Sequence, residues 1–291
     1  MLNDPPPERR KQHPLERDPV PPPMPGGGQP QRQQVILHIP SVRPTVTYAI
    51  IAINVLVFVI RLISPQLDDQ IFYWGANHGQ DVVVNGEVYR LLTSMFLHAS
   101  IYGFRGALVL QNSLHIVFNM YILYVIGTQV ERLFGHVRYA AVYLLGGLAG
   151  SVLSAALGGG DSYSVGASGA VFAVIGAQFI YLYQHRKLLG VRGRAQMRSL
   201  IYLAAINLVF GALTGVAGAG IIVDNWAHLG GLIGGLILTW AIGPIYILRQ
   251  HPEHPGELLG EDINPLKNRY WVLSLYVVVL MAILIVARSF A

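Results

Sequence analysis

The sequence predicts an all-α fold, a polytopic transmembrane helix bundle, on three observations. The first is composition. The 291-residue chain is 53% hydrophobic and only 12% charged, against about a quarter charged in soluble domains, and its mean hydropathy is +0.47. The second is how unevenly the charge lies: residues 1–45 hold 10 of the 35 Asp, Glu, Lys and Arg residues and 12 of the 17 prolines. The remaining body is therefore poorer still in charge. The third is that this body contains seven apolar runs of roughly twenty residues, each long enough to cross a bilayer as a helix. An ordinary cytosolic globule is excluded. The net charge of +5 and pI near 9.5 arise from basic residues in short loops rather than on one surface, so the lipid bilayer is the expected partner and nucleic acid is not. Cysteine is absent, which removes disulfides, thiolate nucleophiles and Cys-ligated zinc. Any chemistry must use oxygen or imidazole, and neither cofactor nor metal is expected.

Taken in order, residues 1–44 carry Pro5-Pro6-Pro7, Pro21-Pro22-Pro23 and Gly26-Gly27-Gly28, with too little apolar area to offset the entropy of ordering; a disordered, Pro-rich cytoplasmic tail is expected. It lacks the pattern of a secretory signal, because the first apolar run is long and begins near Val46. The seven spans are Val46–Ile63, Leu114–Val130, Val137–Leu157, Gly166–Tyr183, Leu200–Ala217, Trp226–Ile242 and Trp271–Ala287. The third to sixth are rich in glycine, which lets helix backbones approach where lipid supplies no hydrophobic drive for association.

Orientation follows from the loops. Arg186, Lys187, Arg192, Arg194 and Arg198 lie between the fourth and fifth spans, and Arg9, Arg10, Lys11, Arg17, Arg32 and Arg43 lie in the tail. Both segments belong on the cytoplasmic side. The opposite loops then carry Asp68, Asp69, Asp81, Glu87, Asp161 and Asp224 against Arg90 and Arg105. The amino terminus is inside, the even-numbered spans run from outside to inside, and the absence of a transit-like leader points to a bacterial plasma membrane.

This topology puts four polar side chains at one depth. Ser168 is near the start of the fourth span, His228 near the start of the sixth, and His115 and Asn119 in the first turns of the second. Each alone has an ordinary explanation: serine among glycines packs or bonds its own backbone, and an embedded imidazole also serves structure, metal binding or proton relay. Together they are the parts of a nucleophilic acyl-transfer site. His228 is the candidate base for Ser168. His115 and Asn119, at i and i+4, share a helix face and supply neutral donors for the oxyanion, joined by the Ser168 N–H at a helix amino terminus. Gly231 with Gly235, Gly166 with Ala170 and Gly169 with Ala173 form small-residue ridges that bring the fourth and sixth spans together.

At these residues the chain resembles the rhomboid family of intramembrane serine proteases: Gly166-Ala167-Ser168-Gly169-Ala170, Ala227-His228-Leu229-Gly230-Gly231 with Gly235, and His115-Ile116-Val117-Phe118-Asn119, in the right order on the right helices. Tyr89-Arg90 and Glu131-Arg132 match further signatures. The resemblance covers Val46 to Ile242. It implies a six-helix catalytic core at 45–243 with a Ser168–His228 dyad, an oxyanion site from His115, Asn119 and the Ser168 amide, and hydrolysis of transmembrane protein substrates that enter beside the second and fifth spans. It also implies that Phe172 occupies the position of an aromatic packed on the catalytic imidazole. Residues 244–291 read as a cytoplasmic linker and an added seventh transmembrane helix. Two features depart from the usual pattern. Ile101–Ser113 separates His98 from His115, which reads as an insertion near the substrate entrance. Asp224, one turn before His228, reads as a helix cap rather than a triad acid.

Other classes fit less well. An α/β-hydrolase elbow is G-x-S-x-G between strand and helix, unlike Gly166-Ala167-Ser168-Gly169 here, and no H-E-x-x-H zinc motif occurs. A transporter should show internal repeat symmetry, which is not evident. A catalytically silent rhomboid-like protein that binds membrane clients should lack the serine or the histidine, and both are present.

Overall fold

A computed structural model describes residues 36–38, 40–103, 108–159, 162–216, 223–254 and 257–290. The tail up to residue 35, Asp161, Arg105 with the rest of 104–107, and Ala217 to residue 222 lie outside the described residues.

Strand β1 (Ile36–His38) precedes α1 (Thr45–Arg61). The start of α1 has no cap from its own sequence; Glu131 supplies one, accepting from the Val46 N–H (2.8 Å), the Thr47 N–H (2.7 Å) and the Thr47 hydroxyl (2.6 Å). A carboxylate at a helix amino terminus satisfies orphan donors and complements the dipole. The outer loop then folds into α2 (Pro65–Gly75), β2 (Asn77–His78), α3 (Gly79–Val83) and α4 (Arg90–Thr93). Pro65 opens α2 and the Ser64 hydroxyl accepts from the Leu67 N–H, the usual chemistry of a helix start. Arg90 ties this loop together, donating to Glu87 (2.6 Å) and to the carbonyls of Tyr73 (2.6 Å) and Ala76 (3.1 Å).

Helix α5 (Ser113–Ile122) passes through a π-helical turn, Leu123–Gly127, into α6 (Thr128–Phe134), so one helical rod runs from Leu110 to Phe134. Next come α7 (His136–Leu157), β3 (Tyr163–Ser164, antiparallel to β2), α8 (Ser168–Gln184), α9 (Arg186–Val216, broken at Gly190) and α10 (Asn225–Ile242). Strands β4 (Tyr246–Gln250) and β5 (Glu257–Asp262) precede α11 (Tyr270–Arg288). Among the described residues, Leu110–Phe134, α7, Arg186–Leu213 and α11 are long and apolar enough to cross a membrane, and α1 and α8 are shorter apolar helices.

Strands not expected from the sequence add to the helix bundle. The fold is mostly rather than entirely helical, because β1, β5 and β4 form a three-stranded sheet in that order, with β1 parallel to β5 and β4 antiparallel to it. The segment expected as a linker after 243 contains the paired strands β4 and β5, and Ile36–His38, within the expected tail, pairs with β5.

At the centre, α7, α8 and α10 touch backbone to backbone. Every residue of α8 from Gly169 to Gln178 is buried. A Cβ on Gly231 would lie 1.9 Å from the Gly169 carbonyl oxygen, and one on Gly235 2.0 Å from that of Ala173. Only hydrogen fits there. By contrast α11 lies outside, with none of its side chains buried among the described residues.

Candidate active site

The site forms where the amino-terminal ends of α5, α8 and α10 meet. Gly166 sets the entry to α8: its φ is +137°, a conformation L side chains rarely adopt, and its N–H donates to the Ser94 carbonyl at 3.0 Å. A Cβ there would come 2.7 Å from His115 Cε1, 2.9 Å from His115 Nε2 and 3.6 Å from Ser168 Oγ. The His115 ring and the Ser168 hydroxyl thus both flank Gly166, the ring so closely that no side chain fits at this position. His115 Nδ1 accepts from the Ala99 N–H at 3.4 Å, which leaves Nε2 as the protonated nitrogen, on the Gly166 side of the ring.

Asn119 is buried one turn further on, and its Nδ2 donates to the His115 carbonyl at 2.8 Å. One amide hydrogen is therefore engaged within the helix and the second is left for another acceptor.

On α10, His228 is buried and lies flat on Phe172, with ring centroids 4.3 Å apart and planes 9° from parallel. A Cβ on Gly169 would lie 3.2 Å from the Ala227 carbonyl, so the residues preceding His228 and following Ser168 are close neighbours. No hydrogen bond joins Ser168 to His228 among the described residues, and His228 Nδ1 is buried without a partner. Asp224 is occupied elsewhere: it accepts from the Ala227 N–H at 2.9 Å as the α10 cap, and from the Ser154 hydroxyl.

The segment that presents the Ala99 N–H rests on a buried polar cluster absent from the sequence reading. Arg61 donates to Asp68 (2.6 Å) and to the His98 carbonyl (2.7 Å), Ser100 donates to Asp68, and His98 Nε2 bonds the Asn54 amide oxygen at 2.9 Å. Burial, with the neighbouring His115 and Arg61, holds the His98 imidazole well below the usual histidine range. It is a neutral structural side chain. The inserted stretch springs from this cluster: Asn112 Nδ2 donates to the Ser100 carbonyl (2.6 Å) and the Val109 N–H to the Ile101 carbonyl (2.7 Å). Ser94, Ala99 and Ser154 carry no motif; two act through backbone atoms and the third through a common hydroxyl. Among the described residues no three His, Asp or Glu side chains converge as ligands for a metal.

Comparison with known proteins places the chain in a family. The model of the Rhomboid domain matches residues 85–245. Rhomboid protease GluP of Bacillus subtilis (strain 168) is 33% identical over 204 residues, which are 69% of this chain and 35% of that protein. RHOMBOID-like protein 6, mitochondrial, of Arabidopsis thaliana is 37% identical over 168 residues, 58% of this chain and 48% of that protein. Rhomboid protease AarA of Providencia stuartii is 28% identical over 230 residues, 70% of this chain and 73% of that protein. The chain spans only about a third to a half of the first two relatives. With a family model matching more than half of its length, and with apolar helices that make it a multi-pass membrane protein, the chain belongs to the rhomboid family.

Proposed function

We propose that the chain is an intramembrane serine endopeptidase that hydrolyses peptide bonds in or beside transmembrane segments of membrane-anchored proteins, using a Ser168–His228 dyad. The observation that carries this reading is the meeting of three helix ends around Gly166, where the Ser168 hydroxyl and the His115 ring both flank the glycine while His228 is held flat on Phe172 beside the first turn of α8. Neutral His228 takes the Ser168 proton as Oγ attacks the scissile carbonyl carbon. The carbonyl oxygen becomes the oxyanion, which the Ser168 N–H, His115 Nε2–H and the free Asn119 amide hydrogen stabilise. The imidazolium returns its proton to the leaving nitrogen as the C–N bond breaks, leaving an acyl ester. Water, deprotonated by the same imidazole, then attacks the ester and regenerates Ser168. Gly166, Gly231 and Gly235 position the reacting groups, and Phe172 fixes the plane of the base.

In this reading α1, the α5–α6 rod, α7, α8, α9 and α10 are the six-helix core at 45–243 and α11 is a seventh span. The amino terminus is cytoplasmic, the membrane is a bacterial plasma membrane, and the site opens outward. The test is incubation of the purified protein in lipid with a labelled single-span reporter. Cleavage is expected for the wild type and abolished for Ser168→Ala. Equal cleavage by both proteins would reject the dyad; an uncleaved reporter that still binds both would favour a client-binding protein.

A further inference from the structure

At the end of α8 remote from Ser168, about 22 Å away at 1.5 Å per residue, the chain turns into α9. This region carries Arg186, Lys187, Arg192, Arg194 and Arg198, and no Asp or Glu occurs between Asp161 and Asp224. Among the described residues none of the five cations is paired with a carboxylate. The cations are not evenly spread. Gly190 breaks α9 with φ +55°, and at the break lies a cavity of about 390 Å³ lined by Tyr183, Arg186, Lys187, Gly190, Arg194 and Met197. Three of the five positive charges therefore face one concavity. Arg186 is held in place, with Nη1 donating to the Tyr183 carbonyl at 2.9 Å and its guanidinium 4.4 Å from the centre of the Tyr183 ring.

We propose that this cavity binds the phosphate group of an anionic phospholipid. Three clustered cations without carboxylate partners supply the charge, and the fixed guanidinium supplies a fork that matches phosphate oxygens. A lipid is favoured over a free phosphate by what surrounds the cavity. Tyr183 leans on Trp240, with centroids 6.4 Å apart, and both rings are exposed; amphipathic aromatics of this kind sit at headgroup depth. Met197 on the cavity wall is followed one turn on, on the same helix face, by exposed Ile201, an apolar continuation against which an acyl chain can lie. The bound headgroup would pin the start of α9 to the ends of α8 and α10. The inference rests on the membrane-bundle reading above but is independent of catalysis.

The test uses the full chain carrying Ser168→Ala, reconstituted in phosphatidylcholine nanodiscs with a minor fraction of phosphatidylglycerol, and counts phosphatidylglycerol molecules retained by the protein in native mass spectrometry. Retention of phosphatidylglycerol over phosphatidylcholine is expected. Lys187→Gln or Arg194→Gln should each weaken it about fivefold, the worth of one cation near a lipid surface, whereas Arg192→Gln with Arg198→Gln, off the cavity, should leave it unchanged. Thermal melting in pure phosphatidylcholine checks that each variant is folded. Equal losses for cavity and off-cavity variants would mean diffuse attraction and overturn a built site. So would inorganic phosphate displacing the retained lipid at millimolar concentration, which would make the cavity a soluble-anion site.

Discussion

In the proposed reaction the Asn119 amide serves a charge that exists only transiently. One hydrogen is committed to the His115 carbonyl, which fixes the amide plane, so the other is aimed without further ordering cost. A donor of this kind contributes little to ground-state binding and much when the oxyanion forms. We predict that Asn119→Ala lowers kcat about a hundredfold to a thousandfold with KM nearly unchanged, the typical loss for one oxyanion donor. Steady-state kinetics on a single-span reporter check it; a raised KM with unchanged kcat would make Asn119 a binding residue. Ser168, His228, His115 and Asn119 stand out in the sequence as the candidate site because each is a polar side chain out of place in an apolar run. Their supports were not. The Ser94 carbonyl that holds Gly166 and the Ala99 N–H that sets the His115 tautomer are backbone groups, and every residue type carries those. Asp224 was legible as a cap because a carboxylate before an apolar run is chemically distinctive.

At the scale of elements, the contact between α8 and α10 is the joint on which site geometry depends. Gly231 faces the Gly169 carbonyl across a gap that admits no carbon, and Gly169 follows Ser168 directly. Gly231→Val is therefore expected to destabilise the fold by about 3 kcal/mol or more, the upper range for overpacking, and to abolish cleavage by moving His228 away from Ser168. Ile233→Ala is the control: Ile233 is exposed on the same helix and its loss should cost less than about 0.5 kcal/mol. Equal stability of the two variants, read by thermal unfolding in lipid, would contradict close contact.

The sheet and its docking offer a second test at this scale. His185, in the turn between α8 and α9, donates from Nδ1 to the Tyr181 carbonyl (2.8 Å) and accepts the Tyr246 N–H on Nε2 (2.9 Å), linking the bundle to β4. Burial lowers its pKa, against the opposing pull of the Tyr181 bond and Asp262. A histidine whose folded pKa is depressed contributes stability in full above its unfolded pKa near 6.5; that contribution is lost as pH falls through 6.5 toward the folded value, because the unfolded chain then binds the proton first. Wild type should lose more stability between pH 7 and pH 5 than His185→Gln, whose side-chain oxygen can still accept the Tyr246 N–H. Parallel pH profiles would remove His185 from this role. The long apolar helices were legible because apolar length separates a span from a loop; the short helices α2, α3 and α4 of the outer loop carry no such signal. The sheet was not: Tyr246–Gln250 and Glu257–Asp262 are short, mixed in polarity and separated by Pro252 and Pro255, which reads as a linker, and the pairing of Ile36–His38 with β5 is set by contacts more than two hundred residues apart.

At the scale of the whole molecule, the proposed reaction needs water and an extended peptide, and a bilayer supplies neither. The polar groups at the starts of α5, α8 and α10 lie at one end of the bundle, so water must reach Ser168 from that end, where non-helical backbone and open helix ends can be hydrated. A substrate helix hides its carbonyls in i to i−4 hydrogen bonds and must unwind locally before one can face Ser168 Oγ. The energy for unwinding falls with residues of low helix propensity, by about 1 kcal/mol for glycine and about 3 kcal/mol for proline relative to alanine. A single-span reporter with glycine or proline near its outer end should therefore be cut several-fold faster than one with leucine there, and the same exchange at its inner end should leave the rate unchanged. Paired reporters in one lipid composition, compared at equal occupancy, test this. Equal sensitivity at both ends, or faster cleavage of the leucine-rich outer end, would reject entry and unwinding from the outer side while leaving the chemistry of Ser168 and His228 intact.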